Sequence, residues 1–102
     1  MAKTMIRYRV KPEFAAENER LVRAVYEQLH ERGPAHIHYA TFKLDDGVSF
    51  VHVHSDDSPD GSNGLTELPA FRAFQQGVRE RCDEAPVATP LDEIGSYQFF
   101  GG

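Results

Sequence analysis

Two periodicities meet at Pro12, and their succession along the chain restricts the fold more than any other feature. Over residues 4–11 the side chains alternate, with Ile6, Tyr8 and Val10 to one side and Arg7, Arg9 and Lys11 to the other. That is the pattern of a half-buried strand. Pro12 stops it. Glu13, Phe14 and Glu17 then open an acidic first turn, and Phe14, Leu21, Val22, Val25 and Leu29 recur at helical spacing. His30 and Arg32 fall at the carbonyl end, where positive charge suits the helix dipole. Gly33-Pro34 ends the helix, glycine in the left-handed closing position and proline barring continuation.

Residues 35–44 and 48–55 are two alternating runs around the turn Asp45-Asp46-Gly47, which predicts a β-hairpin. The polar stretch 55–66 is long for a compact domain and reads as either a functional loop or a mobile one. Leu68-Pro69 opens a second helix with Phe71, Phe74, Val78 and Cys82 on one face and Arg72, Glu80 and Arg81 toward solvent. Pro86 and Pro90 bracket a short connection, and residues 91–100, with Ile94, Tyr97, Phe99 and Phe100, supply the last strand.

The element order is β-α-β-β-α-β, which predicts one α+β, ferredoxin-like domain over residues 1–102 with a four-stranded antiparallel sheet and two helices on one face. Two helices leave the other face of the sheet bare. The strands carry aromatic and branched residues on both parities, so a second copy of the sheet is the expected cover and the chain is expected to be a homodimer.

Net charge narrows the partners. With 16 acidic against 11 basic residues the chain carries −5, and its densest basic stretch is only Arg7, Arg9 and Lys11. Nucleic acid and anionic membrane surfaces are therefore not expected partners. The first residues lack a signal-peptide apolar run, and no stretch has transmembrane length. Cys82 is the single cysteine, which excludes an internal disulfide and fits a reducing compartment. A cytoplasmic location is expected.

The chemistry-bearing residues concentrate in the hairpin, which holds His36, His38, His52 and His54. Their arrangement depends on the turn. A two-residue loop at Asp46-Gly47 pairs Asp45 with Val48 and sets His36 and His38 on the face opposite His52 and His54. A three-residue loop, Asp45-Asp46-Gly47, pairs Leu44 with Val48, sets Phe42 against Phe50 and brings all four imidazoles to one side. The second is preferred because it pairs the phenylalanines across the ladder and uses Gly47 in a left-handed bulge position. Clustered imidazoles are suited to proton transfer or to a metal ion. No strand carboxylate shares their parity, so no metal site is assigned, and many such histidines only line an interface. If Ile6, Tyr8 and Val10 face the helices and the histidines do not, the cluster lies at the dimer interface.

Asp56, Ser58, Asp60, Gly61 and Glu67 follow the spacing of a calcium loop. The preceding element is a strand and Pro59 stiffens the segment, so a solvated acidic loop is the preferred reading. Tyr8, Tyr39 and Tyr97 are candidate phenols. Cys82, far from any helix N-terminus, lacks the setting that activates a thiol.

The pattern resembles the dimeric α/β-barrel superfamily, particularly its antibiotic biosynthesis monooxygenase-like group. The resemblance rests on the opening strand ending at Val10-Lys11-Pro12, the hairpin from Phe42 to Val53, the helix start Leu68-Pro69-Ala70-Phe71-Arg72-Ala73-Phe74, and the closing Gly95-Ser96-Tyr97-Gln98-Phe99-Phe100. These are features of fold rather than of chemistry. The resemblance implies a cofactor-independent monooxygenase-like enzyme acting on a small aromatic or quinol-type molecule in an apolar cleft, with no cofactor. The catalytic candidates are His38, His52, His54 and Tyr39, and the substrate-binding candidates Phe42, Phe50, Phe71 and Phe74. Haem-degrading relatives rely on a tryptophan, and this chain has none. The alternative function is a non-catalytic dimeric ligand-binding or stress-response module.

Overall fold

The structure, a computed structural model, describes residues 3–59 and 64–99. Strand β1 (Lys3–Val10) leads through a 3-10 turn at Pro12–Phe14 into helix α1 (Ala15–Arg32). Strands β2 (Ile37–Lys43) and β3 (Ser49–Asp56) form the hairpin. A 3-10 turn at Gly64–Glu67 precedes the short helices α2 (Pro69–Gln75) and α3 (Val78–Arg81), and strand β4 (Cys82–Leu91) completes the sheet. The strand order is β2-β3-β1-β4, all pairs antiparallel. This is the expected α+β, ferredoxin-like arrangement.

The helices cover one face of the sheet. Tyr8 and Val10 from β1, Phe50 from β3 and Cys82 from β4 pack there against Val22 and Val25 of α1 and Phe74 of α2, with Leu65 and Leu68 closing the side. Helix α1 ends as its sequence requires: Gly33 adopts φ +58° and returns its N–H to the Leu29 carbonyl at 2.8 Å.

Three sequence expectations are corrected. The last strand is Cys82–Leu91, not 91–100, and it contains both Pro86 and Pro90. An outer strand needs hydrogen bonds on one edge only, and prolines four residues apart share an edge, so both are tolerated. Pro86 also falls in the stretch where the β1–β4 register shifts, between the Arg7–Val87 and Arg9–Glu84 pairs, where a bulge relaxes the ladder. Residues 92–98 form no strand or helix. Lys3 pairs with Glu93 at 3.1 Å, and Ser96 and Phe99 border a second cavity with His38, Ala40, Val53 and Ser55, so this segment lies over the face the helices leave bare.

The second helix does not run through to Cys82. It breaks at Gln76-Gly77, where Gly77 takes φ +79°. The break redirects the chain, and Arg81, expected in solvent, is 6 % exposed.

The hairpin has neither the three-residue loop nor a one-sided histidine cluster. Leu44 pairs with Ser49 (N···O 2.9 Å), and Asp45 to Val48 form the turn, with Gly47 N donating to Leu44 O at 3.0 Å. The register sets Phe42 against Val51, Thr41 against His52 and Tyr39 against His54. This is the pairing of the two-residue alternative. Its cause is Asp46, whose carboxylate accepts from Val48 N (2.9 Å), Ser49 N (2.8 Å) and Ser49 Oγ (2.6 Å), tying two residues beyond the glycine into the turn. Because side chains alternate with a period of two, this one-residue difference decides which histidines meet the helices.

Candidate active site

Between the sheet and the α2–α3 pair lies a cavity of about 520 Å³ that reaches across all four strands. Its walls are Ile6, Leu65, Phe71, Phe74, Val78, Pro86 and Ala88, and its polar positions are Thr4, Tyr8, Tyr39, His52, His54, Thr66, Gln75 and Arg79.

His52 is the centre of the polar floor. It is 2 % exposed, and both ring nitrogens are engaged. Tyr8 Oη lies 2.7 Å from Nε2, Tyr39 Oη 2.5 Å from Nδ1, and Thr41 Oγ1 3.2 Å from the same Nδ1. Tyr26 Oη extends the network, 2.7 Å from Thr41 Oγ1. Burial drives the His52 pKa down to about 4, so the ring is neutral at pH 7. Burial likewise pushes the phenols of Tyr8 and Tyr39 well above their ordinary value and that of Tyr26 to about 12.

A neutral imidazole carries one proton, and the network assigns it to one nitrogen. Arg81 donates Nη2–H to the Phe74 carbonyl at 2.8 Å, Nη1–H to the Gln76 carbonyl at 3.3 Å and Nε–H to Asn18 Oδ1 at 3.3 Å. A guanidinium only donates, so the oxygen of Asn18 faces Arg81 and its amide nitrogen faces Tyr8 Oη, at 2.9 Å. Tyr8 accepts there, and the acceptor within the protein for its own proton is His52 Nε2. The His52 proton is then on Nδ1 and is donated to Tyr39 Oη. The phenolic proton of Tyr39 is left for Thr41 or for a ligand in the cavity. The tautomer follows from the bonding pattern rather than from any visible hydrogen.

His54 occupies a different position. It lines the cavity, its Nε2 is buried, and that atom has no hydrogen-bond partner among the described residues. Burial lowers its pKa, with Asp56 acting in the opposite direction. A buried nitrogen without a partner, on a residue that lines a cavity, is a site for a ligand hydrogen bond or a proton. Its ring stands edge-on to Tyr39 at 6.0 Å between centroids.

The expected site residues therefore divide. His52, His54, Tyr39, Phe71 and Phe74 come together around one cavity. Phe50 lies in the core beside it, stacked on Tyr8 at 5.6 Å. His38 and Phe42 lie on the opposite face of the sheet; Phe42 is 43 % exposed, and His38 Nε2 is 3.5 Å from Asp57. Cys82 is buried in the core with its pKa raised by burial, which keeps it a thiol. The calcium-type spacing falls partly on residues 60–63, outside the described residues, and Asp56 gives its oxygens to Ser58 N, Ser58 Oγ and Gly64 N within the loop. In the cavity a cation would find two imidazoles and, among the described residues, no carboxylate.

Asn18, Thr41, Gln75 and Arg79 escaped the sequence reading, and Arg81 was misplaced by it. Asn18 had a legible sign: it stands four residues after Phe14 and four before Val22, a polar side chain on the apolar stripe of α1.

No family model matches the sequence, and no curated protein matches it. Solved structures do. An antibiotic biosynthesis monooxygenase superposes with a TM-score of 0.73 at 16% identity, covering 93% of this chain and 100% of its own. A variant of SnoaB, a cofactor-independent oxygenase from Streptomyces nogalater, superposes at 0.65 with 14% identity over 93% of this chain and 94% of that one. A protein of unknown function from Nitrosomonas europaea superposes at 0.70 with 9% identity, covering 94% and 91%. The chain has the antibiotic biosynthesis monooxygenase-like fold. Proteins of this fold include both oxygenases and molecules of unknown function.

Proposed function

We propose that this protein is a monooxygenase-like enzyme that binds a small aromatic or quinol-type molecule in the cavity and oxidises it with molecular oxygen, without a metal or flavin. The observation that carries the reading is that His54, whose Nε2 has no partner among the described residues, and Tyr39 line the same cavity. His54 Nε2 takes a proton from the bound hydroxyarene. Tyr39, fixed from behind by the Nδ1–H of His52, turns its O–H to the arene oxygen on which negative charge develops. For a hydroxyarene whose keto form carries a ring methylene, the reaction balances with no outside reductant. The methylene becomes a carbonyl, one oxygen atom stays in the product, and the other leaves as water with the two methylene hydrogens. The likeness to a cofactor-independent oxygenase supports this choice of chemistry.

The test is oxygen uptake in air-saturated buffer with a panel of hydroxynaphthalenes and hydroxyanthrones. Turnover above the uncatalysed rate is expected, falling about 100-fold in His54→Gln and in Tyr39→Phe. A second reading, a ligand-binding module without turnover, is favoured by the fact that both nitrogens of His52 are already satisfied. Reversible binding with no oxygen uptake would select it, and absence of binding defeats both.

We also infer a homodimer formed through the face of the sheet opposite the helices. Phe42, Val87 and Leu91 there are 43, 61 and 38 % exposed, and Ile94 and Tyr97 of the following segment are more exposed still. Apolar side chains exposed together on one sheet face call for a protein cover, and a second copy presents the complementary surface.

A further inference from the structure

The cavity carries a second polar feature that the proton chemistry leaves unused. Gln75 closes α2, and Arg79 follows it in α3 beyond the break at Gly77; both line the cavity. Neither side chain, both of them exposed, has a hydrogen-bond or ion-pair partner among the described residues, whereas those of Arg9, Arg23 and Arg72 are engaged by Asp83, Glu19 and the Glu67 carbonyl. The chain has 16 acidic against 11 basic residues, yet no described carboxylate lines this cavity and Arg79 is its one full-time charge. In an acidic protein, that is a local arrangement that favours an anion and disfavours a cation.

Tyr39 belongs to β2 at one edge of the sheet, and Arg79 belongs to the turn of helix that feeds β4 at the other. Both residues line the one cavity, so a ligand that reaches both carries a substituent toward each end. Phe71, Phe74 and Val78 supply apolar wall for its faces. A guanidinium and a primary amide lining one cavity offer several N–H donors to a planar group with two acceptor oxygens, and a carboxylate is the anion of that shape.

We propose that the ligand is an aromatic carboxylate, held by Arg79 and Gln75 at its acid group while its hydroxyl or carbonyl oxygen meets Tyr39. The proposal rests on the aromatic-ligand reading above and adds the acid group to it. Calorimetric titration of the full chain with 6-hydroxy-2-naphthoate, whose two groups stand at opposite ends of the ring system, and with 2-naphthol separates the two. The expected result is that the carboxylate binds at least about tenfold more tightly, that Arg79→Gln brings the ratio close to one, and that salt weakens the acid more than the naphthol. Arg20→Gln, on the outer surface of α1, keeps the ratio. Equal affinities, or a preference that survives in Arg79→Gln, overturn the acid group while leaving the aromatic cavity intact. Failure of both compounds to bind overturns the two proposals together.

Discussion

Tyr8 Oη lies 2.7 Å from Nε2 of His52, across the central β1–β3 pair of the sheet, and is itself held at 2.9 Å by the amide of Asn18. The contact joins the site to a buried guanidinium. Arg81 reaches Asn18 from the far side, and among the described residues it has no carboxylate partner, only two backbone carbonyls and the Asn18 oxygen. The run from Arg81 through Asn18, Tyr8 and His52 to Tyr39 is therefore directional, because its first member can only donate. The tautomer of a buried imidazole is thus decided by two residues that do not border the cavity.

His52 should remain neutral, with its proton on Nδ1, from pH 8 to about pH 5. Nitrogen-15 spectra of the imidazoles read this directly, and a midpoint near 6.5 for His52 would falsify it. The same shift makes stability depend on pH. With a folded pKa of about 4 against roughly 6.5 in the unfolded chain, the unfolded state binds more protons between those values. Stability is complete above pH 6.5 and falls, by up to about 3 kcal/mol, as the pH drops toward 4. Asp56 and Glu19, both held at about 2, lose their contributions only at lower pH, so urea unfolding at pH 7, 5.5 and 4.5 isolates the histidine window.

Replacement of Asn18, which is 0 % exposed, by leucine should be costly out of proportion to its size. It removes the acceptor for Arg81 Nε and the donor to Tyr8 together, leaving a buried charge short of a partner. A loss of about 3 kcal/mol is expected in urea unfolding. A change below the error of the measurement would show that the guanidinium finds another acceptor.

Gly77→Ala tests the helix break that turns Arg81 inward. A methyl group there approaches no atom closer than 3.7 Å, so sterics with neighbours are not the issue. The cost comes from φ +79°, and about 1 kcal/mol of destabilisation is expected from the left-handed conformation alone. An unchanged unfolding midpoint would mean that the chain can pass from α2 to α3 by another route.

The mass in solution should be twice the chain's 11.5 kDa at micromolar concentration. Val87→Asp, placing a charge on the β4 side of the exposed sheet face, should give a monomer by light scattering with its helical circular dichroism intact. A wild-type monomer would end the dimer proposal. His52 and His54 face the helices rather than this surface, so their titration should leave the dimer mass unchanged.

The order of elements was legible in the chain because strand and helix periodicities are local properties. The alternation of Ile6, Tyr8 and Val10, the stripe from Phe14 to Leu29, Gly33 as the helix stop and Leu68-Pro69 as a helix start all follow from spacing and from single-residue backbone preferences. The gathering of Phe71, Phe74 and the even-numbered β3 histidines on the helix-covered face needed one more fact, the hairpin register. That register depends on the Asp46 carboxylate bonding to Val48 and Ser49, a choice between turns of nearly equal local merit that the packing of Phe50 against Tyr8 helps to settle.

Tertiary structure alone decided the remainder. The last strand carries two prolines and reads as a connection until its position at the edge of the sheet supplies a place where missing N–H groups do no harm. Arg81 reads as solvent-facing until the break at Gly77 rotates it toward Asn18. Sequence by itself determined the first strand, the first helix, the two strands of the hairpin and the start of the second helix, because those depend on neighbours a few residues away. The charge state of His52, the lack of a partner for His54 Nε2 among the described residues and the meeting of Gln75 and Arg79 with Tyr39 at one cavity depend on groups far apart along the chain, and only the closed fold brings them within reach of one another.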